Sequence, residues 1–218
     1  MENIKALIFD FDGVIVDSVS LHEKAEAETY QKFNIHIPQE GRERFRGKKI
    51  DEIFEECSRL YGTGSESINQ MVSYKTKLYL KYAADELRLV PGIIDFLNAI
   101  NNSGMYRCAI TTSGQEVVQK KVMEQFHLSQ FFEIIVTGKD VTMGKPNPQP
   151  YTITVEKLQL QPNECLVIED AVNGIQSAKI SGCYACGLTT NTTKMALLEA
   201  GANMVVDSFE ELAKRIKI

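Results

Sequence analysis

The sequence has no apolar stretch approaching the roughly 18 residues of a membrane span, which excludes a helical membrane protein. It also has no basic surplus. Lys and Arg number 24 against 29 Asp and Glu, a net charge of −5. Neutralising a phosphate backbone takes a basic face, so no nucleic-acid partner is expected. The first residues, Met-Glu-Asn-Ile-Lys, run directly into a strand-like segment without a hydrophobic leader core, so export is not expected. Cysteine is scarce and odd in number: five residues, at 57, 108, 165, 183 and 186, cannot all pair within one chain. They read as reduced thiols of a cytoplasmic protein. Internal repeats and low-complexity tracts are absent as well. What the chain does have is 44% apolar and 24% charged side chains in 218 residues, enough to bury a core in one large domain or two modest ones.

Short, non-alternating apolar runs occur at 5–10, 106–111, 133–136, 165–169, 184–188 and 203–206. Strands buried on both faces of a parallel sheet read this way. Between them lie helical periods: Ile94, Leu97 and Ile100 before a C-capping Gly104; Val118, Val122 and Phe126; and Ala171, Ile175 and Ala178 before Gly182. Strands alternating with helices predict an α/β fold with right-handed crossovers. The alternation breaks once. About 70 residues after the first run contain no strand pattern but several helical ones. A capping box at Ser20-x-x-Glu23 opens a helix to about Phe33, 50–61 reads as a second helix, and Ile68, Met71, Val72, Leu78, Tyr79 and Tyr82 stripe a third. The expected organisation is a core of residues 1–16 plus 88–218 with a helical domain, 17–87, inserted after the first strand. Asp17-Ser18 and 87–91 are the expected hinges.

The chemistry-bearing residues gather where strands end, the place at which open α/β sheets bind ligands. The first run ends in Asp10-Phe-Asp12-Gly13, two carboxylates that can reach one site beside a tight turn. The fourth ends in Glu169-Asp170, with Asp170 also placed to cap the next helix. So many acids in one crevice require a cation, and hard oxygen ligands suit Mg2+. After the second run, Thr111-Thr112-Ser113-Gly114 offers hydroxyls and N–H groups at a helix start, an anion site. Ser113-x-x-Glu116 is itself a capping box. In the loop before the next helix, Gly144-Lys145-Pro146 holds a constrained cation, and Asn147 and Pro148 stand as N-cap and first helical residue.

Taken together and in order, Asp10-Phe-Asp12-Gly-Val, Thr111 after an apolar strand, Gly144-Lys145-Pro146 and Glu169-Asp170 resemble the motif set of the haloacid dehalogenase superfamily of phosphotransferases. The helical insertion after the first motif is similar to the subgroup with a helical cap, which includes β-phosphoglucomutase and phosphoglycolate-type phosphatases. The resemblance implies a Rossmann-like parallel sheet of order 3-2-1-4-5 and a catalytic set of Asp10, Asp12, Thr111 and Lys145. Asp10 would be the nucleophile and Asp12 the general acid and base, while Thr111 and Lys145 would hold the phosphoryl oxygens. Mg2+ would lie on Asp10, Asp12 (through its carbonyl), Asp170 and Glu169. Family members that cleave carbon–halogen or phosphonate bonds lack the second aspartate, so Asp12 argues against both. A phospho-receiver domain pairs similar residues but is much shorter and has no cap.

Specificity is expected in the cap. His22 matches a cap histidine of the mutase, and Arg46-Gly47-Lys48-Lys49 matches its basic loop, with Thr112 and Ser113 completing the substrate-binding set. Ile50 stands where the mutase carries an arginine for the non-transferring phosphate, and Lys48, Lys49, Lys75 or Lys77 could compensate. The favoured reading is a Mg2+-dependent phosphatase of a sugar or polyol phosphate, with a hexose-phosphate mutase as the alternative. The expected partner is a small phosphorylated metabolite, and the expected state a monomer or weak dimer. Cys183-x-x-Cys186 lies in strand context without a second ligand pair and reads as core thiols rather than a zinc or redox site.

Overall fold

The computed structural model describes residues 3–37, 45, 47–61 and 67–218. Among these, the strands are β1 (Ala6–Phe9), β2 (Val16–Asp17), β3 (Arg88–Leu89), β4 (Arg107–Thr111), β5 (Ile134–Val136), β6 (Cys165–Glu169), β7 (Tyr184–Leu188) and β8 (Met204–Val206). The helices are α1 (Val19–Lys32), α2 (Ile50–Tyr61), α3 (Ile68–Glu86), α4 (Ile93–Ser103), α5 (Glu116–Gln125), α6 (Gln149–Leu158), α7 (Val172–Ile180), α8 (Lys194–Glu199) and α9 (Phe209–Ile216). Six strands form one parallel sheet of order β5-β4-β1-β6-β7-β8. The five expected strands stand in the expected order, and the last apolar run adds a sixth at the edge.

The central strand β1 is apolar at every position because successive side chains serve opposite faces. Leu7 and Phe9 of β1 enter one buried cluster with Phe96, Ile110, Leu166, Ile168 and Phe209. Ala6 and Ile8 enter the other, with Tyr151, Val155, Val167, Ile175 and Leu197. Helices therefore cover both faces, as a parallel sheet requires.

The structure adds a two-stranded antiparallel ribbon, β2 with β3, pairing Val16 with Leu89 and Asp17 with Arg88. It joins the two ends of the α1–α3 insertion at the sheet. Strands of two residues carry too little pattern to be read from sequence. The insertion holds a third cluster of its own, with Tyr30, Phe33, Ile53, Phe54, Cys57 and Met71. Tyr79, Tyr82, Leu21 and Ala25 instead pack into the sheet cluster containing Phe9.

Four helix starts differ from expectation. The first helix begins at Val19, capped from Ser18 without a side-chain hydrogen bond, so Ser20 lies inside it. The cap of α5 is Gln115, not Ser113; that of α6 is Pro148, not Asn147; that of α7 is Ala171, not Asp170. Gly104 ends α4 in the left-handed region as expected (φ 61°). All five cysteines are buried and none forms a disulfide, and no metal-ligating cluster forms around Cys183 or Cys186 among the described residues.

Candidate active site

Phe9 is in register with Ile110 of β4 and Ile168 of β6, so the three central strands end at one level. Asp10 follows β1, Glu169 is the last residue of β6, and Asp170 follows it. One carboxylate oxygen from each lies within 4.8 Å of the others. All three side chains are buried. From the loop after β5, Lys145 reaches the same point and is only 1% exposed. Its Nζ donates to Asp10 Oδ1 (2.8 Å), Glu169 Oε1 (2.6 Å) and the Thr111 carbonyl (3.2 Å).

Glu169 has its hydrogen-bonding capacity filled. Oε1 also accepts from the Tyr151 hydroxyl at 2.7 Å, and Oε2 accepts the N–H groups of Asp170 (3.1 Å) and Ala171 (3.2 Å). It is therefore a strut for Lys145 and for the start of α7. Asp170 Oδ2 accepts from Asn191 at 2.9 Å. Two glycines make this packing possible. A Cβ on Gly174 would lie 1.8 Å from Glu169 Oε1. One on Gly13, whose φ is +80°, would lie 2.1 Å from Asp170 Oδ2.

Three buried carboxylates against one ammonium leave surplus negative charge. Burial and the Glu169 charge push the Asp170 carboxyl up to about 7, despite the Asn191 hydrogen bond. Burial, then Glu169, raises Asp10 well above the usual carboxylate range, with Lys145 opposing. Burial alone would lower Lys145, but Asp10 and Glu169 hold it above its usual value. The donor set suits a hard divalent cation: buried oxygens, excess charge, and Asp10 Oδ2 and Asp170 Oδ1 without hydrogen bonds from described residues.

Asp12 stands apart from this cluster. Its Oδ1 accepts from the Ser18 hydroxyl (2.6 Å) and faces His22 Nε2 (3.0 Å). Lys75 Nζ lies 2.6 Å from His22 Nδ1, and His22 stacks on Tyr79 at 4.0 Å. A lysine donating to Nδ1 places the imidazole proton on Nε2, which then donates to Asp12. Burial pushes Asp12 up, but His22, Ser18 and Lys75 outweigh it and hold the carboxyl at about 2. Burial lowers Lys75 below its ordinary value, Glu26 and Asp12 opposing.

Above these groups lies a cavity of about 340 Å³ between the sheet and α1–α3. Asp10, Asp12, His22, Gly47, Lys48, Thr112, Ser113 and Asp170 all line it. Ser113 donates to the Gly47 carbonyl at 2.6 Å, tying the α4–α5 side to the insertion instead of capping α5. Lys48 pairs with Glu56 at 2.9 Å. Arg46 lies outside the described residues.

Two expected site residues turn elsewhere. Lys49 does not line the cavity; its Nζ lies 3.3 Å from the Val141 carbonyl and 3.5 Å from Asp51. The Thr111 hydroxyl lies 2.6 Å from that of Thr154, which in turn bonds the Pro150 carbonyl at 2.9 Å. Thr111 thus ties β4 to α6, and the hydroxyl on the cavity wall belongs to Thr112. That oxygen accepts Gly114 N–H at 2.9 Å, leaving its own proton to donate. Of the lysines expected to compensate for Ile50, Lys75 is buried on His22, and Lys77 is exposed and does not line the cavity. Residues not anticipated are Ser18, Tyr151, Thr154, Asn191 and Gln119. For Lys75 in its observed place a signal existed: Met71, Lys75 and Tyr79 share the buried face of α3 at four-residue spacing.

Comparison with known proteins agrees with this arrangement. Residues 7–188 match the family of haloacid dehalogenase-like hydrolases. The chain is similar to phosphoglycolate phosphatase of Salmonella choleraesuis, 28% identical over an alignment 235 positions long that covers 97% of this chain and 92% of that protein. Its fold is similar to that of a hydrolase from Pseudomonas syringae, with a TM-score of 0.87 at 24% identity over 98% of both chains. It is also similar to CbbY from Rhodobacter sphaeroides in complex with xylulose 1,5-bisphosphate, with a TM-score of 0.82 at 26% identity over 96% of both chains.

Proposed function

We propose that this chain, which belongs to the haloacid dehalogenase-like hydrolase family, is a Mg2+-dependent phosphatase that moves the phosphoryl group of a sugar or polyol phosphate onto Asp10 and then to water. The observation that carries the reading is the pairing of two unlike carboxylates on one cavity. Asp10 is held by Lys145, and two residues on Asp12 is held by His22 and Ser18. That CbbY binds a sugar bisphosphate supports the substrate class.

Asp10 and Asp170, with Glu169 behind them, would hold the cation, whose charge when bound would screen Asp10 from an incoming phosphate dianion. Lys145 holds the Asp10 carboxylate through Oδ1, and that carboxylate attacks phosphorus as the ester P–O bond breaks. Thr112 has a proton to donate to a phosphoryl oxygen. Asp12 is ionised in the structure described; a phosphate dianion arriving beside it raises its proton affinity. A proton taken up there passes to the leaving oxygen. The ionised Asp12 then takes a proton from water as that water attacks phosphorus, and the acyl phosphate bond to Asp10 breaks. Residues 17–87 act as a cap that closes over 1–16 plus 88–218 and excludes bulk water.

A phosphatase is favoured over a mutase because Ile50 lines the cavity without charge and Lys48 is already paired. Phosphate release from a panel of monophosphates, with Mg2+ and with EDTA, tests the reading. Release should need Mg2+, vanish in Asp10→Asn, and leave a hydroxylamine-sensitive acyl phosphate in the wild type. Turnover by Asp10→Asn near the wild-type rate, or turnover in EDTA, would remove it. Efficient conversion of β-glucose 1-phosphate to glucose 6-phosphate with a bisphosphate primer, without phosphate release, would establish the mutase instead.

A further inference from the structure

The lysine that holds Asp10 is carried by the loop between β5 and α6, and that loop is tied from two sides. Part of it closes on itself. Thr137 N–H bonds Asp140 Oδ2 (2.8 Å), and the N–H groups of Thr142 (2.9 Å) and Met143 (2.8 Å) both reach Gln149 Oε1. Gly144, buried and next to Lys145, differs: its N–H leaves the core and bonds Glu52 Oε1 of α2 at 2.7 Å. Three residues earlier, the Val141 carbonyl lies 3.3 Å from Lys49 Nζ. Lys49 precedes α2 and Glu52 is in its first turn, so the two side chains are also three residues apart. A donor and an acceptor of the insertion thus clasp a carbonyl and an amide of the loop.

The glycine fits the same contact. A Cβ on Gly144 would meet Glu52 Oε2 at 2.7 Å and Lys49 Cγ at 2.9 Å, both atoms of the insertion. Its φ is not positive, so the backbone there does not itself ask for glycine; the approach of α2 does. On the far side of Gly144, Lys145 Nζ holds Asp10 (2.8 Å), Glu169 (2.6 Å) and the Thr111 carbonyl (3.2 Å). A shift of the backbone one residue away moves that ammonium against the nucleophile, and displacements of about 1 Å can cost a hundredfold in rate. An acid in the first turn of a helix also answers the helix dipole, a role that needs charge but no partner. Reach and charge therefore separate the two roles of Glu52.

We propose that Glu52 is a positioning residue: by accepting the Gly144 N–H it fixes the loop that carries Lys145, so that Lys145 is set for phosphoryl transfer when the insertion lies against the sheet and loosened when the insertion lifts. The proposal rests on the phosphatase reading and deepens it. Closing the insertion and placing the lysine on the nucleophile become one event, and Lys49 serves the same clasp instead of the substrate.

The test measures kcat and KM with Mg2+ on p-nitrophenyl phosphate and on the monophosphate of the panel that is cleaved fastest, in wild type, Glu52→Gln, Glu52→Asp, Glu52→Ala and Gly144→Ala. Gln keeps the reach and an acceptor oxygen without the charge; Asp keeps the charge but is one methylene short. Glu52→Asp, Glu52→Ala and Gly144→Ala should each lower kcat by about tenfold or more with KM within about threefold. Glu52→Gln should stay within about threefold of wild type in kcat. The double variant of Glu52→Ala with Gly144→Ala should be no slower than the slower single variant, because both remove one contact. Three results would each overturn the proposal: Glu52→Asp near the wild-type rate, Glu52→Gln falling as far as Glu52→Asp, or KM rising while kcat holds. If the Glu52 variants do not fold, Gly144→Ala decides, and an unchanged kcat overturns it. A wild type that releases no phosphate from any ester of the panel removes the phosphatase reading and this proposal with it; normal turnover with a flat variant series removes the proposal alone.

Discussion

Thr111 and Thr112 are adjacent hydroxyls with opposite surroundings. Thr111 is fully buried and spends its proton on Thr154, whereas Thr112 has its lone pairs engaged and its proton available at the cavity. Thr112→Val should therefore lower kcat by about tenfold to a hundredfold, the cost of losing one donor to a developing charge. Thr111→Val should cost about 1 kcal/mol of stability from the lost hydroxyl pair and leave kcat within about twofold. Steady-state kinetics and thermal unfolding of the two variants separate the roles, and the reverse pattern would return the phosphate contact to Thr111. The two threonines also show where sequence reasoning ends. Asp10, Lys145 and Asp170 were legible as a group because each lies at a strand end or in the loop after one, where neighbouring strands of an open α/β sheet bring side chains together, with Asp12 on the same cavity. Which of two neighbouring hydroxyls faces the ligand depends on whether a partner such as Thr154 waits behind the sheet, and a one-dimensional pattern does not carry that. The place of Lys75 was hidden because a lysine among tyrosines reads as surface until its four-residue spacing to Met71 and Tyr79 is counted.

The helices that follow β2, β4 and β6 share a habit: polar residues at their starts bond partners outside the helix instead of capping it. Ser18 bonds Asp12, Ser113 bonds the Gly47 carbonyl, and Asp170 bonds Asn191. Capping signals located these helices correctly but misplaced their first residues, because a side chain engaged elsewhere cannot also cap its helix. Just before α7, Glu169 accepts the N–H groups of Asp170 and of the cap residue Ala171, and only a glycine at 174 leaves room. Gly174→Ala places a methyl on that carboxylate and should push it aside. We expect a loss of about 1–3 kcal/mol in stability from overpacking. We also expect a rise of about tenfold or more in the Mg2+ concentration giving half-maximal rate, since Glu169 supports Lys145 and the neighbouring acids. Titration of activity against Mg2+ checks this; an unchanged midpoint would show that Glu169 has no bearing on the cation.

Across the whole molecule, the alternation of strands and covering helices was legible from period and the sheet order from the family resemblance, while the β2–β3 ribbon was not. That ribbon spans the root of α1–α3, and Leu21, Ala25, Tyr79 and Tyr82 of the insertion pack into the sheet cluster, while polar contacts among the described residues add Gly144 N–H to Glu52 (2.7 Å), Ser113 to the Gly47 carbonyl (2.6 Å) and Thr76 to Gln115 (2.5 Å). Polar latches of this kind exchange for water at little cost. Small-angle scattering should therefore show a larger radius without ligand than with Mg2+ and a phosphate mimic, and equal radii would count against a moving cap. The crowded acids give the global stability a pH dependence that the cation should reverse. An unfolded aspartate titrates near 3.8, whereas burial and Glu169 bring Asp170 to about 7 in the fold, and Asp10 shifts the same way. Between about pH 4 and 7 the folded chain thus binds more protons than the unfolded one, so this stabilisation is present at the acid end and lost as pH rises through the folded value. Asp12 does not mask the trend. Held at about 2, it contributes above the unfolded value and is lost only as pH falls through about 2. In EDTA, Tm should fall from pH 5 to pH 8. Mg2+, which replaces those protons, should raise Tm little at pH 5 and by several degrees at pH 8. Calorimetric scans across that range measure the difference directly, and a Mg2+ effect that is flat or shrinks with pH would mean that the cation is not held by this cluster.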